Sequence, residues 1–184
     1  MTNRDSLYSI LKAVVSDSDL KNLLYEDFSG LYALSINQGV AGTAFQGLRK
    51  IMKQQGVTKD DLGTSLPVYK KWLGITTTIS LRHDKILNLQ NRLSDYLRKA
   101  GISALVLKGL SIASYYDDAC LRTLGDIDIY SPSDYQRVND ILRSLSSSFS
   151  MDYYRHSECE LDGIMIENHR FLTDVRGQSR FHKL

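Results

Sequence analysis

Two aspartates separated by one isoleucine, inside an otherwise apolar run, constrain this chain more than any other feature. Residues 104–130 read ALVLKGLSIASYYDDACLRTLGDIDIY. The pattern predicts an apolar strand, a Lys-Gly turn, a short helix, a loop carrying Arg122, and a second strand. Side chains alternate faces along a strand, so Asp126 and Asp128 point one way and Ile127 and Ile129 the other. Aspartate is depleted in strands. Two of them on one face need either a solvated edge or a ligand. Hard divalent cations take oxygen ligands, and Mg²⁺ is commonly held by one or two carboxylates together with substrate phosphates.

Spacing alone is weak, because Asp17-Ser18-Asp19 repeats the D-x-D pattern with no strand around it. The weight lies in the order of strand, Gly turn, helix and then D-x-D in a second strand. In that order, LVLKG, Arg122 and GDIDIY resemble the family of uncharacterised nucleotidyltransferases, within the DNA polymerase beta-like nucleotidyltransferase superfamily. The resemblance is specific from about residue 100 to 170. It implies an α/β (α+β) fold, with a helical region over 1–100 and a small mixed sheet with helices over 101–184. It also implies Mg²⁺-dependent transfer of a nucleoside monophosphate from an NTP to a hydroxyl acceptor: a small molecule, a protein side chain or an RNA end. Family members continue past this region, so the resemblance implies either a core truncated at its C-terminus or a short member.

The third carboxylate expected in such a site lies on a later strand. In Gly163-Ile164-Met165-Ile166-Glu167-Asn168-His169 the alternation puts Met165, Glu167 and His169 on one face and the two isoleucines on the other. The resemblance makes Glu167 that carboxylate. Asp126, Asp128 and Glu167 would then be both the catalytic residues and the metal ligands, for two Mg²⁺ ions, with Mn²⁺ an alternative. Paired ions roughly 3.5–4 Å apart activate the attacking hydroxyl and neutralise the leaving pyrophosphate. Gly109 would let backbone N–H groups approach a triphosphate. Lys108, Ser111 and Arg122 would contact phosphate oxygens. Each residue has a plainer reading as well. The carboxylates and Lys108 could sit on a solvated face. Arg122 could pair with Asp117, Asp118 or a site aspartate. His169 reads as a structural residue that fixes a carboxylate. Tyr115-Tyr116 and Tyr153-Tyr154 read as packing residues rather than base-stacking ones.

Much of the superfamily has Gly followed by Ser or Gly, whereas here Lys108 precedes Gly109 and Leu110 follows it. The Lys-Gly form agrees with the uncharacterised family. That departure keeps open a catalytically silent, antitoxin-like binding module as the alternative to an enzyme, and a phosphohydrolase built on the same carboxylates as a third possibility.

The remaining chain predicts helices. Leu7, Ile10, Leu11, Val14 and Val15 recur at helical spacing. Ser18 or Asp19 would cap a second helix with Leu20, Leu23, Leu24 and Phe28 as its stripe, ended by Gly30. Gly39 to Ala44 is a small-residue stretch suited to close helix packing. A long pattern follows Pro67 through Trp72, Ile75, Ile79, Ile86, Leu89, Leu93, Tyr96 and Leu97 to a Gly101 stop, with a break expected near Thr76-Thr77-Thr78. His83 falls on its polar side. After the D-x-D strand come a helix built on Val138, Ile141, Leu142 and Leu145, a strand over 149–155 and an acidic turn over 157–162.

Composition excludes more than it assigns. The formal net charge of +2 is too small to predict a nucleic-acid partner, which stays open as the RNA-end acceptor. Cys120 and Cys159 form neither a disulfide framework nor a metal motif, so a reducing, cytoplasmic setting is expected. No apolar run reaches membrane-spanning length, and the N-terminus carries no signal-peptide pattern.

Overall fold

The protein is described from a computed structural model, which covers residues 2–16, 27–151 and 155–172. Its contacts separate two compact units, Met1–Asp84 with Tyr116–Thr123, and Lys85–Tyr115 with Leu124–Leu184.

The first unit is helical. Helices α1 (Asn3–Val15), α2 (Phe28–Asn37) and α3 (Ala41–Gln54) pack around Trp72, which lies on α4 (Leu66–Lys99). Trp72 is fully buried, and its Nε1–H donates to the Ala41 carbonyl at 2.8 Å. Phe28, Tyr32 and Phe45 ring it at centroid distances of 5.6–6.1 Å. Small residues allow α3 its close approaches. A Cβ at Gly42 would strike the Leu121 carbonyl, and one at Gly47 would strike the Ile10 carbonyl.

Gly30 does not end a helix but sits in the first turn of α2. Asp27 is the N-cap, and its Oδ1 accepts from the Gly30 N–H at 2.8 Å. A side chain at position 30 would run into the Asp27 carboxylate and the Asn3 amide. Phe28 therefore opens this helix. Ser18, Asp19, Leu20, Leu23, Leu24, Tyr153 and Tyr154 lie outside the described residues, as do 173–184.

α4 runs without interruption through the threonine run. The hydroxyls of Thr76, Thr77 and Thr78 fold back onto the carbonyls of Trp72, Leu73 and Gly74 at 2.9–3.1 Å, which lets poor helix formers stay helical. His83 is buried, contrary to the sequence expectation. It follows Ile79 by four residues and precedes Ile86 by three, so it shares their stripe rather than the polar face. Tyr96 is instead exposed. The helix ends in a Schellman motif: Gly101 adopts φ 69, and the Ile102 N–H reaches back to the Leu97 carbonyl at 2.9 Å.

The second unit is built on a five-stranded sheet of order β1-β2-β5-β4-β3. The strands are β1 (Leu105–Leu107), β2 (Asp126–Tyr130), β3 (Ser150–Met151), β4 (His156–Leu161) and β5 (Ile164–His169). β2 and β5 pair in parallel, and the other pairs are antiparallel. The expected acidic turn over 157–162 is in fact β4. Ser157 and Cys159 are buried on the inner side while His156, Glu158 and Glu160 face out, an alternation of period two. Asp162-Gly163, with φ 54 and 71, closes the hairpin to β5, as the left-handed pair of a two-residue turn requires.

The inner face carries Ile127, Ile129, Cys159, Ile164 and Ile166. These pack on Ile86, Leu89, Leu93 and Leu97 of α4 and on Val138 and Leu142 of α6 (Tyr135–Leu145). One polar group is built into this core. Asn139 Oδ1 accepts from Ser157 Oγ and from Asn168 Nδ2, the latter at 2.8 Å, and Asn168 Nδ2 also donates to the Tyr135 carbonyl at 3.1 Å. All three side chains are fully buried. They tie α6 to β4 and β5 and hold the register of the strand that carries Glu167.

Candidate functional site

The opposite sheet face collects the charged residues, and register decides which of them meet. Asp128 lies opposite Leu107 on β1 and opposite Glu167 on β5, and Glu167 lies opposite Glu158 on β4. One residue pair along, Tyr130, His169 and His156 form the next row. Asp126 begins β2 on the same face, opposite Met165, and is half-buried. A carboxylate row thus crosses three adjacent strands.

Asp128 is the centre of the group. It is 2% exposed, and its Oδ1 lies 2.7 Å from His169 Nε2 and 3.0 Å from Lys108 Nζ. His169 Nε2 is also 3.4 Å from Glu167 Oε2. Burying a carboxylate is costly unless it is paired and hydrogen-bonded, and here two basic side chains converge on one oxygen. The hydrogen bond to Asp128 raises the Lys108 ammonium above the usual lysine pKa. Partial burial opposes that shift, and the Asp128, Asp126 and Glu167 charges add to it.

Lys108 reaches this position from a turn. It has φ 48 and ψ −135, a backbone conformation rare for a residue with a side chain, and Gly109 follows at φ 36. Gly109 lies against the start of β2, where an added Cβ would meet the Asp126 carbonyl at 3.8 Å. Ser111 Oγ donates to the Lys108 carbonyl and closes the turn. The helix that follows, α5 (Gly109–Ala113), is five residues long.

The sheet thus brings together Asp128, Glu167 and Lys108, with Asp126 on the same face and Gly109 and Ser111 in the adjoining turn. Arg122 belongs to the first unit, at the end of the 3₁₀ turn Ala119–Leu121. Tyr115 is 88% exposed and packs in no core. His169 sits where a carboxylate-fixing residue is expected.

Donor atoms of Asp128, Glu167 and His169 all lie within 4.8 Å of one another, and so do those of His156, Glu158 and Glu167. Sequence reasoning misses His156 and Glu158. Their signal is a set of alternate polar residues running into Asp-Gly, but an acidic composition there suits a turn equally well. The first group, carboxylate-rich and anchored on a buried aspartate, fits a hard divalent cation.

A profile of the family described as uncharacterised nucleotidyltransferase matches residues 25–184, a span that includes β2, β5 and the Lys-Gly turn. The chain belongs to that family. Its mixed α/β architecture with a five-stranded sheet is of the nucleotidyltransferase kind, and the family assigns it a general role in nucleotidyl transfer. No curated protein and no solved structure matches it. No described helix is long and apolar enough to cross a membrane.

Proposed function

We propose that this nucleotidyltransferase family member is a Mg²⁺-dependent enzyme that moves a nucleoside monophosphate from an NTP to a hydroxyl acceptor. Residues 101–184 would form the catalytic core and residues 1–100 its helical companion. The observation that carries the reading is the parallel pairing of β2 with β5, which sets Glu167 beside the buried Asp128 under a lysine and a histidine.

Asp126, Asp128 and Glu167 would hold the divalent ions, two Mg²⁺ or Mn²⁺ in their place. Such ions, when bound, neutralise triphosphate charge and make the acceptor hydroxyl easier to deprotonate. His169 orients Asp128 through its 2.7 Å contact, so the carboxylate is fixed before any ligand arrives. Glu167, half-buried in the middle of the row, would accept the acceptor's proton. Lys108, with most of its side chain in solvent, is free along its stem to contact phosphate oxygens as a point charge. Gly109 and Ser111 complete the phosphate-contacting set in this proposal. Most of the rate enhancement then comes from positioning and charge stabilisation.

The test is product analysis with α-labelled NTPs and a panel of hydroxyl acceptors. Mg²⁺-dependent pyrophosphate release with label transfer, absent in Asp128→Asn, supports the proposal. Orthophosphate release would replace it with a phosphohydrolase. Metal binding with no NTP consumption across the panel would favour a silent binding module.

A further inference from the structure

Lys108 and Asp128 are unequal partners. The carboxylate is buried and cannot leave, whereas the lysine side chain is 60% exposed and can swing into solvent. The lysine lies 3.0 Å from Asp128 Oδ1, so it already neutralises the carboxylate on which a cation at this site would rely. It is held there from a backbone position of φ 48, which costs energy for a residue with a Cβ. Asp126 and Glu167, acting at longer range, also favour a positive charge at that position. An ammonium and a divalent ion held on one carboxylate repel each other, strongly in a partly buried setting.

We infer that Lys108 is a resident counter-ion, which holds Asp128 while the site is without metal and must be displaced before a divalent cation binds. The inference rests on the metal-binding reading above and adds an order to it. The cation enters first, and its arrival frees Lys108 for the triphosphate. The nucleotide therefore binds a site whose lysine has already been released. Metal affinity is reduced by the competing lysine, which offsets part of the carboxylate charge when the site is empty.

Calorimetric titration of Mn²⁺ without nucleotide, on wild type, Lys108→Met and Asp128→Asn, tests this directly. Methionine keeps the stem and removes the charge. Lys108→Met should bind the ion roughly threefold to tenfold more tightly than wild type, the scale of one charge-assisted hydrogen bond discounted for the exposed lysine. The gain should persist at about 1 M salt, where long-range effects are screened. The same variant should bind the NTP–metal complex more weakly. Asp128→Asn should lose ion binding. Equal or weaker Mn²⁺ binding by Lys108→Met, or a gain that vanishes in salt, overturns the inference and leaves the metal-binding reading standing. Absence of Mn²⁺ binding in wild type without nucleotide overturns the inference, and only its absence with NTP present as well would overturn the metal-binding reading. Should the variant not fold, nitrogen-15 spectra of the wild-type lysine ammonium groups decide the same question. One ammonium signal protected from exchange, and lost when Mg²⁺ is added, supports the inference. An ammonium signal unchanged by saturating Mg²⁺ contradicts it.

Discussion

Asn168 lies between Glu167 and His169 but points to the other side of the sheet, and its replacement by alanine tests how the site is held. Its Nδ2 donates to Asn139 Oδ1 at 2.8 Å and to the Tyr135 carbonyl at 3.1 Å, in a fully buried setting. Asn168→Ala deletes two hydrogen bonds worth about 1 kcal/mol net each. It also leaves a small void and a buried carbonyl with one partner fewer, adding about 1–2 kcal/mol. Asn139 Oδ1 keeps its Ser157 partner, so the damage is bounded. The expected loss is about 2–4 kcal/mol, read from urea unfolding midpoints at an unchanged slope. The site should feel it as well. A one-residue slip of β5 would turn Glu167 into the core and Asn168 to the charged face, so a loosened register should weaken Mn²⁺ binding. Asn168→Asp should cost more than alanine at neutral pH, because it sets a carboxylate against two acceptors. Part of that cost should return as acid protonates it. A loss below about 1 kcal/mol for Asn168→Ala, with Mn²⁺ binding intact, would refute the claim that this network sets the register.

Other expectations follow from packing and charge. Cys159 is buried on the inner sheet face, and desolvation raises its thiol to about 11, so in native protein at pH 8 it should resist a thiol reagent until the chain is unfolded. Gly47→Ala should lower the melting temperature, because the new methyl meets the Ile10 carbonyl and α1 and α3 must part, at a cost of about 1–3 kcal/mol. The raised pKa of Lys108 means that its contribution is complete below the unfolded lysine pKa and is lost as pH climbs through the folded value. The stability difference between wild type and Lys108→Met should therefore be flat through neutral pH and shrink only above about pH 10.4. Gly163→Val should destabilise the β4–β5 hairpin, since a β-branched residue cannot hold φ 71 without strain.

The parts of the site legible in the sequence are those governed by local alternation. Asp126-Ile127-Asp128-Ile129 and Ile164 to His169 each declare one polar and one apolar face, and the structure keeps both. The Gly101 stop is equally local, because a left-handed residue after a basic last turn ends a helix by its own geometry. What stays hidden depends on distant partners. That Asp128 faces Glu167 requires a parallel pairing between strands far apart along the chain, which no nearby residue encodes. His83 is hard to place because its polarity argues for the surface while its spacing from Ile79 and Ile86 argues for the core, and the spacing wins. β4 is obscured because Glu158 and Glu160 suggest a turn, while Ser157, Cys159 and Leu161 on the other parity mark a strand. Gly30 is ambiguous because glycine serves at both ends of a helix, and Asp27 decides which.

Titration calorimetry of each NTP with and without Mg²⁺, on wild type and on the Asp126→Ala/Asp128→Ala double variant, bears most directly on the proposed site. The account predicts that at least one NTP binds only in the presence of Mg²⁺ and that the double variant, still folded by circular dichroism, loses that binding. Failure of any NTP to bind folded wild-type protein, or Mg²⁺-dependent binding that survives loss of both aspartates, would contradict it.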